Sequence, residues 1–385
     1  MRALFVCEAG EGTVFPLVPL TQALRSGGHE VLVAGHTAAL PIVSDAGLPG
    51  VAVAWREPRS FATDDDGNLI PLPTELDERK RQLGRLGARM AADALTGLRG
   101  LTRRWRPDVV ISSPQSYAAP LLAAELSVPH VQVGLDMSES PLADAAAEEE
   151  LLPDLAELGL RAMPAPQLAL TLCPHSIRYP GARPALAMRH VPYNTARTVE
   201  DWAYARGDRP RVLVTAGSRV SPSYSLDFLR SLVAGAACLD AELLVAVPES
   251  VVPHLGPLPP GVRAGWIPLD VVAPTCDLAI HQAGGATLTC VVHAVPQLVV
   301  PFMPDLVGYA QRLAGTGAAR MIPLAEATVD AVASTAEEML GDPGHQKAAQ
   351  VLRAEALTAP SPVDLVGRIE RLAATHAARP GTPAT

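Results

Sequence analysis

The chain has 385 residues, of which 48% are hydrophobic. It is therefore long enough for two domains of roughly 180 residues, each with its own core. The formal net charge of −9 does not indicate the positively charged surface that nucleic-acid binding needs. No apolar run reaches the ~20 residues of a membrane span, and the amino terminus enters a strand-like segment without a signal-peptide layout, so we expect a cytoplasmic protein.

Short apolar runs alternate with helix-like segments in the first half of the chain. The predicted strands are residues 3–7, 30–34, 109–112 and 130–134, and the predicted helices include residues 15–26 and 117–126. Strands that alternate with helices of this length indicate βαβ units and a parallel sheet covered on both faces.

The same pattern restarts after a polar stretch at residues 193–210. The predicted strands of the second half are residues 211–215, 242–247, 263–267, 278–280 and 297–300. The predicted fold is therefore α/β, with two doubly wound, Rossmann-like domains that face each other across a cleft. Ligands of such folds bind where the strands end, so the cleft is the expected site.

Residues 57–75 form a polar, proline-bearing loop that is longer than an α/β connection requires. Loops of this length are usually functional or disordered. The loop is either a lid that faces a substrate or a solvated surface loop.

The stretch HQAGGATLT, residues 281–289, lies where a predicted strand gives way to a helix. Such a junction places free backbone N–H groups at the positive end of a helix dipole, which suits a phosphate. Gly284 and Gly285 let the main chain approach the anion, Thr287 and Thr289 offer hydroxyl donors, and His281 can donate from the strand end. A tight turn capped by a threonine is the alternative.

The run from Trp266 to Gly317 resembles the nucleotide-sugar signature of family 1, GT-B fold glycosyltransferases. The amino-terminal loop GEGTVFP, residues 10–16, also fits this family. Segments such as VLVTAGSRV, WIPLDVVAPTCDL and SYAAPLLA are similar to those of actinobacterial enzymes that glycosylate aromatic polyketides, in particular angucycline-type olivosyl C-glycosyltransferases.

The resemblance implies a division of the chain into five parts. Residues 1–195 would bind the acceptor, residues 196–209 would be a linker, and residues 210–361 would bind the nucleotide sugar. A helix at residues 362–377 would return to the first domain, and residues 378–385 would form a tail.

The resemblance also implies a set of donor-binding residues. Trp266 would stack on the nucleobase, unless it is simply a core aromatic residue, and the backbone of Ile267 would hydrogen-bond to the base. Arg219 would bridge phosphate oxygens, unless it is a surface arginine that caps a helix. The diphosphate would face Gly217, Ser218, His281, Gly284, Gly285, Ala286 and Thr287.

Two departures from the family pattern concern the donor. HQAGGATLT is one residue shorter than the usual run, which leaves the individual N–H donors unassigned. Many members have Asp-Gln where this chain has Asp305-Leu306. A leucine cannot pair with a sugar hydroxyl, and an unpaired hydroxyl loses about 1–3 kcal/mol. We therefore predict a deoxygenated hexose, which the resemblance implies to be carried by dTDP, with no further cofactor and no metal.

A third departure concerns catalysis. Many O-glycosyltransferases of the family use a histidine oriented by an aspartate. By resemblance, the corresponding positions in this chain are occupied by Thr13 and Ser113. Asp136, at the end of a predicted strand, is the candidate general base, with Thr13 and Ser116 as orienting or sugar-contacting groups. Glu139 is the second candidate, and Asp136 as a simple turn cap is the alternative.

The predicted acceptor is a flat aromatic polyketide, held by Phe61, Ile70, Leu72, Gln115 and Tyr117. Phe61, Ile70 and Leu72 would equally suit a loop folded back onto the core. The predicted reaction is inverting transfer of an olivose-like deoxyhexose, with C-glycosylation slightly favoured over O-glycosylation. A catalytically silent GT-B helper protein stays open as an alternative, and the protein is expected to be a monomer or homodimer.

Overall fold

The structure is a computed structural model that describes residues 1–63, 68–135, 137 and 141–378. The first half contains seven strands in these ranges, and they form one parallel sheet in the order β3-β2-β1-β4-β5-β6-β7. Its elements are β1 (Arg2–Cys7), α1 (Glu11–Val14), α2 (Val18–Ser26), β2 (Glu30–His36), α3 (Leu40–Asp45), β3 (Gly50–Ala54), α4 (Leu76–Thr102), β4 (Val109–Ser112), α5 (Ala118–Leu126), β5 (His130–Gly134), α6 (Pro141–Glu150), α7 (Leu152–Glu157), β6 (Leu168–Thr171) and β7 (Leu186–Ala187).

The second half forms a six-stranded parallel sheet in the order β10-β9-β8-β11-β12-β13. Its elements are β8 (Arg211–Thr215), α8 (Leu226–Ala236), β9 (Glu242–Ala246), β10 (Arg263–Gly265), α9 (Leu269–Val272), β11 (Leu278–His281), α10 (Ala286–His293), β12 (Gln297–Val299), α11 (Val307–Gly315), β13 (Ala319–Met321), α12 (Val329–Gly341), α13 (Pro343–Thr358) and α14 (Pro362–Ala377).

The α/β prediction with two Rossmann-like domains is confirmed, because both sheets are parallel and doubly wound. Every residue of β4 and of β8 is buried, as expected for strands covered by helices on both faces. In each sheet the strand order reverses once, between β1 and β4 in the first and between β8 and β11 in the second. Ligands of doubly wound sheets bind at such switch points.

Helix α14 lies on the first domain although it follows the second domain in the chain. Leu365 and Ile369 belong to the same buried cluster as Leu20 and Leu24 of α2. The helix begins with a capping box, in which Ser361 and Asp364 satisfy each other's backbone N–H groups. α14 therefore adds a helix to the core of the first domain.

The chain crosses between the domains twice, once through residues 193–210 and once just before α14. These two crossings lie side by side. The backbone N–H of Arg189 donates to the Pro360 carbonyl at 2.8 Å, and its side-chain Nε donates to the Ala359 carbonyl at 3.3 Å.

Arg312 of α11 also joins the domains, because its guanidinium donates to the carbonyl oxygens of Ile177 at 3.0 Å and Met137 at 2.8 Å. None of the helices described is both long and apolar enough to cross a bilayer.

Candidate active site

A cavity of about 940 Å³ lies between the domains and is lined by residues of both. The first domain contributes the loops after β1, β4 and β5, together with parts of α4 and α6. The second domain contributes the segment around the start of α11. Apolar side chains line much of the cavity, among them Leu83, Leu135, Met137, Leu142 and Leu170. The cavity therefore suits a flat apolar molecule that meets polar groups at its edges.

The turns after β8 and β11 lie next to each other, because these two strands are paired with Thr215 opposite His281. Gly217 has a φ of 87°, and a Cβ at this position would lie 2.5 Å from Nε2 of Gln282. The positive φ favours glycine here, whereas the Gln282 amide is the end of a flexible side chain and could move away from a Cβ. Gly217 thus allows the Gln282 side chain to lie between the two turns.

The amino-terminal end of α10 has the features of an anion site. Gly285 is the N-cap residue and Ala286 the first helical residue, so the leading N–H groups have no partner within the helix. Thr287 has no exposed surface, and its Oγ1 has no hydrogen-bond partner among the described residues. A buried hydroxyl that lacks a partner costs free energy. A phosphate oxygen at this end of the helix would accept the hydrogen bond that the Thr287 hydroxyl lacks. Gly284 directly precedes the N-cap residue and adds no side chain there, so the residues present fit a diphosphate.

His281 makes different hydrogen bonds from those that the sequence suggested. Its Nδ1 accepts the backbone N–H of Ala283 at 3.0 Å, so the proton is on Nε2, which donates to Oε1 of Gln297 at 2.9 Å. Burial lowers the pKa of His281 to about 4, so the ring is neutral at pH 7. Both ring nitrogens are occupied, and His281 holds the turn in shape instead of offering a donor to phosphate.

Ser218 and Arg219 are both exposed at the turn after β8. Nη2 of Arg219 lies 3.1 Å from Sδ of Met303, which directs the guanidinium across to the loop after β12. Arg219 thus extends from the loop after β8 to the loop after β12 of the second domain.

Trp266 is partly exposed, and the guanidinium carbon of Arg197 lies 5.0 Å from the centre of its ring. Its backbone N–H donates to the Glu249 carboxylate at 3.1 Å. Ile267 is 5% exposed and packs in a core cluster with Leu213 and Leu244. The ring of Trp266 is therefore reachable from outside, whereas the side chain of Ile267 is structural.

Asp305 and Leu306 both line the cavity. Nζ of Lys80, from α4 of the first domain, lies 3.8 Å from Oδ1 of Asp305. This oxygen is buried and has no hydrogen-bond partner within the described residues. Asp305 thus has an acceptor oxygen available beside an apolar neighbour, and Lys80, which the sequence analysis did not include, balances its charge.

The proposed base, Asp136, and the second candidate, Glu139, lie outside the described residues. Leu135 and Met137 line the cavity, so the chain passes along it at this point.

Of the supporting residues, Thr13 lines the cavity, but its Oγ1 is directed at the carbonyl oxygens of Glu8 at 2.9 Å and Gly10 at 3.0 Å. Ser116 is 1% exposed. The expectation that Ser116 contacts the sugar needs correction, because its hydroxyl is buried behind Ser113, with 3.0 Å between the two Oγ atoms.

Glu8 is a residue that the sequence analysis missed. Burial raises the pKa of its carboxyl group to about 7, and a hydrogen bond from Ser116 partly opposes this shift. The signal in the sequence was its position, since Glu8 is the first residue after the central strand β1.

The predicted acceptor residues divide into two groups. Gln115 and Tyr117 line the cavity, and the Tyr117 hydroxyl donates to the Asp144 carboxylate at 2.9 Å. Phe61, Ile70 and Leu72 are not among the residues that line it.

For Phe61 the alternative of a loop folded back onto the core holds. The ring is 7% exposed and lies under the guanidinium of Arg56, at 4.6 Å. The expectation that Phe61 presents an open surface to the acceptor is therefore corrected. Ile70 and Leu72 are 37% and 41% exposed outside the cavity. Residues 64–67 of this loop lie outside the described part.

Comparison with known proteins gives consistent matches along the chain. Residues 22–217 match the N-terminal domain, and residues 230–372 the C-terminal domain, of the family described as Erythromycin biosynthesis protein CIII-like. The L-demethylnoviosyl transferase of Streptomyces niveus is 36% identical, over 94% of this chain and 96% of that protein. The elloramycin glycosyltransferase ElmGT of Streptomyces olivaceus is 33% identical, over 96% of this chain and 97% of that protein.

Among solved structures, the glycosyltransferase SsfS6 of Streptomyces sp. SF2575, complexed with thymidine diphosphate, superimposes with a TM-score of 0.84 at 34% identity. The match covers 96% of this chain and 99% of that one. The fold is thus that of GT-B glycosyltransferases, and the relatives are named as enzymes that transfer sugars. This chain belongs to the EryCIII-like family, the GT-B glycosyltransferases of polyketide antibiotic biosynthesis.

Proposed function

We propose that this protein transfers a deoxyhexose from a dTDP-sugar to an aromatic polyketide of the angucycline type, with inversion at the anomeric carbon. The observation that carries the proposal is the cavity between the domains, which is lined by Asp305 and Leu306 from the second domain and by Gln115 and Tyr117 from the first. A sugar bound through Asp305 is thereby presented to a flat molecule held against the other wall.

The residues at the ends of β8, β10 and β11 suit a nucleoside diphosphate as the donor. The amino-terminal end of α10, the buried hydroxyl of Thr287 and the guanidinium of Arg219 supply donors for its phosphates. The partly exposed ring of Trp266 offers a stacking surface for the base. The solved structure of SsfS6 contains thymidine diphosphate, which favours thymidine as the nucleoside.

The residues expected beside the sugar favour a hexose that lacks one of its hydroxyl groups. Oδ1 of Asp305 accepts no hydrogen bond within the described residues and lies 3.8 Å from Nζ of Lys80, whereas Leu306 beside it offers no polar atom. A hydroxyl that faced Leu306 would lose its hydrogen bonds to water without replacement, at a cost of about 1–3 kcal/mol. An olivose-like sugar, deoxygenated at that carbon, avoids this cost.

The acceptor must lose a proton during the reaction. The bond between the anomeric carbon and the phosphate oxygen breaks as the acceptor attacks, and donors at α10 stabilise the departing diphosphate. Asp136 is our proposed general base, because it follows β5 between two residues that line the cavity, Leu135 and Met137. An Asp136→Ala variant with unchanged turnover and donor affinity would remove this assignment.

The linkage depends on which atom of a deprotonated phenol attacks. A phenolate carries charge on oxygen and on the adjacent ring carbon, so the tilt of the ring against Tyr117 decides between O- and C-glycosylation. The resemblance to olivosyl C-glycosyltransferases favours the carbon-linked product. NMR of the product decides, since only the C-glycoside has a direct bond between sugar and ring carbons.

The test of the proposed function is a donor comparison. The protein is incubated with an aromatic polyketide and either dTDP-olivose or UDP-glucose, and products are separated by mass. We expect turnover with dTDP-olivose only, and equal turnover with UDP-glucose would refute the sugar assignment.

A catalytically silent helper is the second candidate, and the occupancy of the usual dyad positions by Thr13 and Ser113 favours it. A helper has no need to hold a nucleotide. A rise in melting temperature with dTDP would therefore favour the enzyme, since a ligand that binds only the folded state stabilises it.

A further inference from the structure

Lys80, in the second turn of α4, carries a positive charge from the first domain to the part of the cavity wall that the second domain forms. Its Nζ lies 3.8 Å from Oδ1 of Asp305, and the two side chains are 22% and 21% exposed. Both residues line the cavity. Charges that are removed from water in this way are screened less than those of a surface pair, so a molecule bound beside them interacts with both.

The ion pair leaves a hydrogen-bond acceptor open to a ligand. The 3.8 Å between Nζ and Oδ1 is too long for a hydrogen bond, and Oδ1 is buried without a hydrogen-bond partner among the described residues. Lys80 therefore balances the charge of Asp305 without occupying its acceptor oxygen. A hydroxyl group of a bound sugar can donate to Oδ1 and so supply the missing hydrogen bond.

The other carboxylate of the described cavity wall is also balanced. Asp144 accepts the hydroxyl of Tyr117 at 2.9 Å, and its second oxygen lies 3.7 Å from Nη2 of Arg183. Asp144 and Asp305 are the carboxylates among the described residues that line the cavity, and each has a cation beside it. The described part of the wall therefore offers a cationic ligand no carboxylate that lacks a nearby positive charge.

The charge of the sugar decides how it interacts with the pair of Lys80 and Asp305. A deoxyhexose that carries hydroxyl groups alone is neutral and can hydrogen-bond to Asp305 without repulsion from Lys80. A sugar with an amino group is mainly a cation at pH 7, as aliphatic amines are. An ammonium group within hydrogen-bond distance of Oδ1 would lie within about 7 Å of Nζ. Repulsion between like charges at that distance in a partly buried site cancels much of the attraction to Asp305, and the ammonium also loses its water.

We propose that Lys80 makes this protein select a neutral deoxyhexose over an amino-deoxyhexose. The proposal rests on the proposed glycosyl transfer and adds the charge of the sugar to it. Lys80 is a specificity-determining residue in this reaction, because its charge acts on the bound sugar. Its removal would leave Asp305 as an unbalanced carboxylate, which attracts an ammonium group.

The test compares dTDP-olivose with its two monoamino analogues, in which an amino group replaces the hydroxyl at C3 or at C4. Calorimetric titration of the full-length protein at pH 7 gives Kd for each donor in the absence of acceptor. The wild type should bind dTDP-olivose about tenfold more tightly than at least one of the analogues. Lys80→Gln, which removes the charge at similar length, should abolish this preference, and Lys80→Arg, which keeps the charge, should retain it.

Two controls separate an effect of charge from a structural effect. A distorted cleft would weaken the binding of dTDP and of all three dTDP-sugars together, whereas loss of the Lys80 charge changes the ratio between the sugars. Lys347→Gln, at an exposed lysine of α13, should keep the wild-type ratio. Ratios of kcat/KM with an aromatic polyketide as acceptor should follow the ratios of Kd.

The outcomes distinguish this proposal from the proposed function. Equal Kd values for all three donors in the wild type, or an unchanged ratio in Lys80→Gln, would overturn the role of Lys80 and leave the glycosyl transfer standing. A protein that shows the expected ratios of Kd but transfers no sugar to any aromatic polyketide would refute the proposed function and leave the selection standing. Failure to bind any of the donors would overturn both.

Discussion

Replacement of Thr287 by valine should weaken dTDP binding and, at the same time, stabilise the free protein. Thr287 has no exposed surface, and its hydroxyl has no partner in the described part of the chain. Valine has nearly the same shape and lacks only the hydroxyl. The substitution therefore removes a group that costs free energy in the unliganded state and that a phosphate would satisfy.

The expected magnitudes follow from hydrogen-bond energetics. A hydrogen bond to a charged acceptor contributes ~1.5–3 kcal/mol, so Kd for dTDP should rise about 10- to 100-fold. Removal of a buried hydroxyl without a partner should raise the free energy of unfolding of the free protein by about 1 kcal/mol.

Calorimetric titration with dTDP and urea unfolding without ligand measure the two effects on the same sample. Thr335→Val, at a buried threonine of α12, is the matched control and should leave dTDP affinity unchanged. An unchanged Kd for Thr287→Val, or a loss of stability in urea, would show that the hydroxyl does not face the phosphates.

Three further variants test other parts of the site. Gly217→Ala and Gly256→Ala should each lose about 1 kcal/mol of stability, because both glycines have a positive φ and the Gln282 amide that a Cβ at Gly217 would meet is the end of a flexible side chain that can move away; a much larger loss for Gly217→Ala in urea would contradict this. Burial lowers the pKa of His281 to about 4. Between pH 6.5 and pH 4 the histidine is therefore protonated in the unfolded chain and neutral in the folded chain. Stability should therefore fall as pH drops from 6.5 towards 4, by about 1.4 kcal/mol per pH unit, and urea unfolding of His281→Gln should lack this part of the slope. Leu306→Gln should lower KM for a fully hydroxylated donor about tenfold, and an unchanged KM would place the sugar elsewhere.

Much of the fold was predictable from periodicity and composition. The predicted strands at residues 109–112, 130–134 and 211–215 agree with β4, β5 and β8, because fully buried parallel strands are continuous apolar runs bounded by turn residues. The strand β7 has only two residues, too few to show a period. Helix α4 was not among the predicted helices, although its buried residues recur every three or four positions, at Gly84, Ala88, Ala91, Leu95 and Leu98.

Site residues that belong to one short segment could be predicted from the sequence. Contacts between residues that are distant in sequence could not. The glycines and Thr287 at the start of α10 are adjacent in sequence, so one short segment was enough to predict an anion site there, and this site stays a prediction. Lys80 pairs with Asp305 across the domains, and no local pattern reports such a pair. His281 was misjudged because its partner, Gln297, belongs to the next strand.

The adjacency of the two chain crossings, where Arg189 bonds to Ala359 and Pro360, limits how the halves can move. Two covalent links at one place restrict sliding of the domains past each other, and Arg312 of α11 adds a further tie between them at the cavity. Opening of the cleft would break the Lys80–Asp305 ion pair and the two hydrogen bonds from Arg312 to the first domain. The side chains of Lys80 and Arg312, which line the cavity, would therefore set how easily the two halves separate.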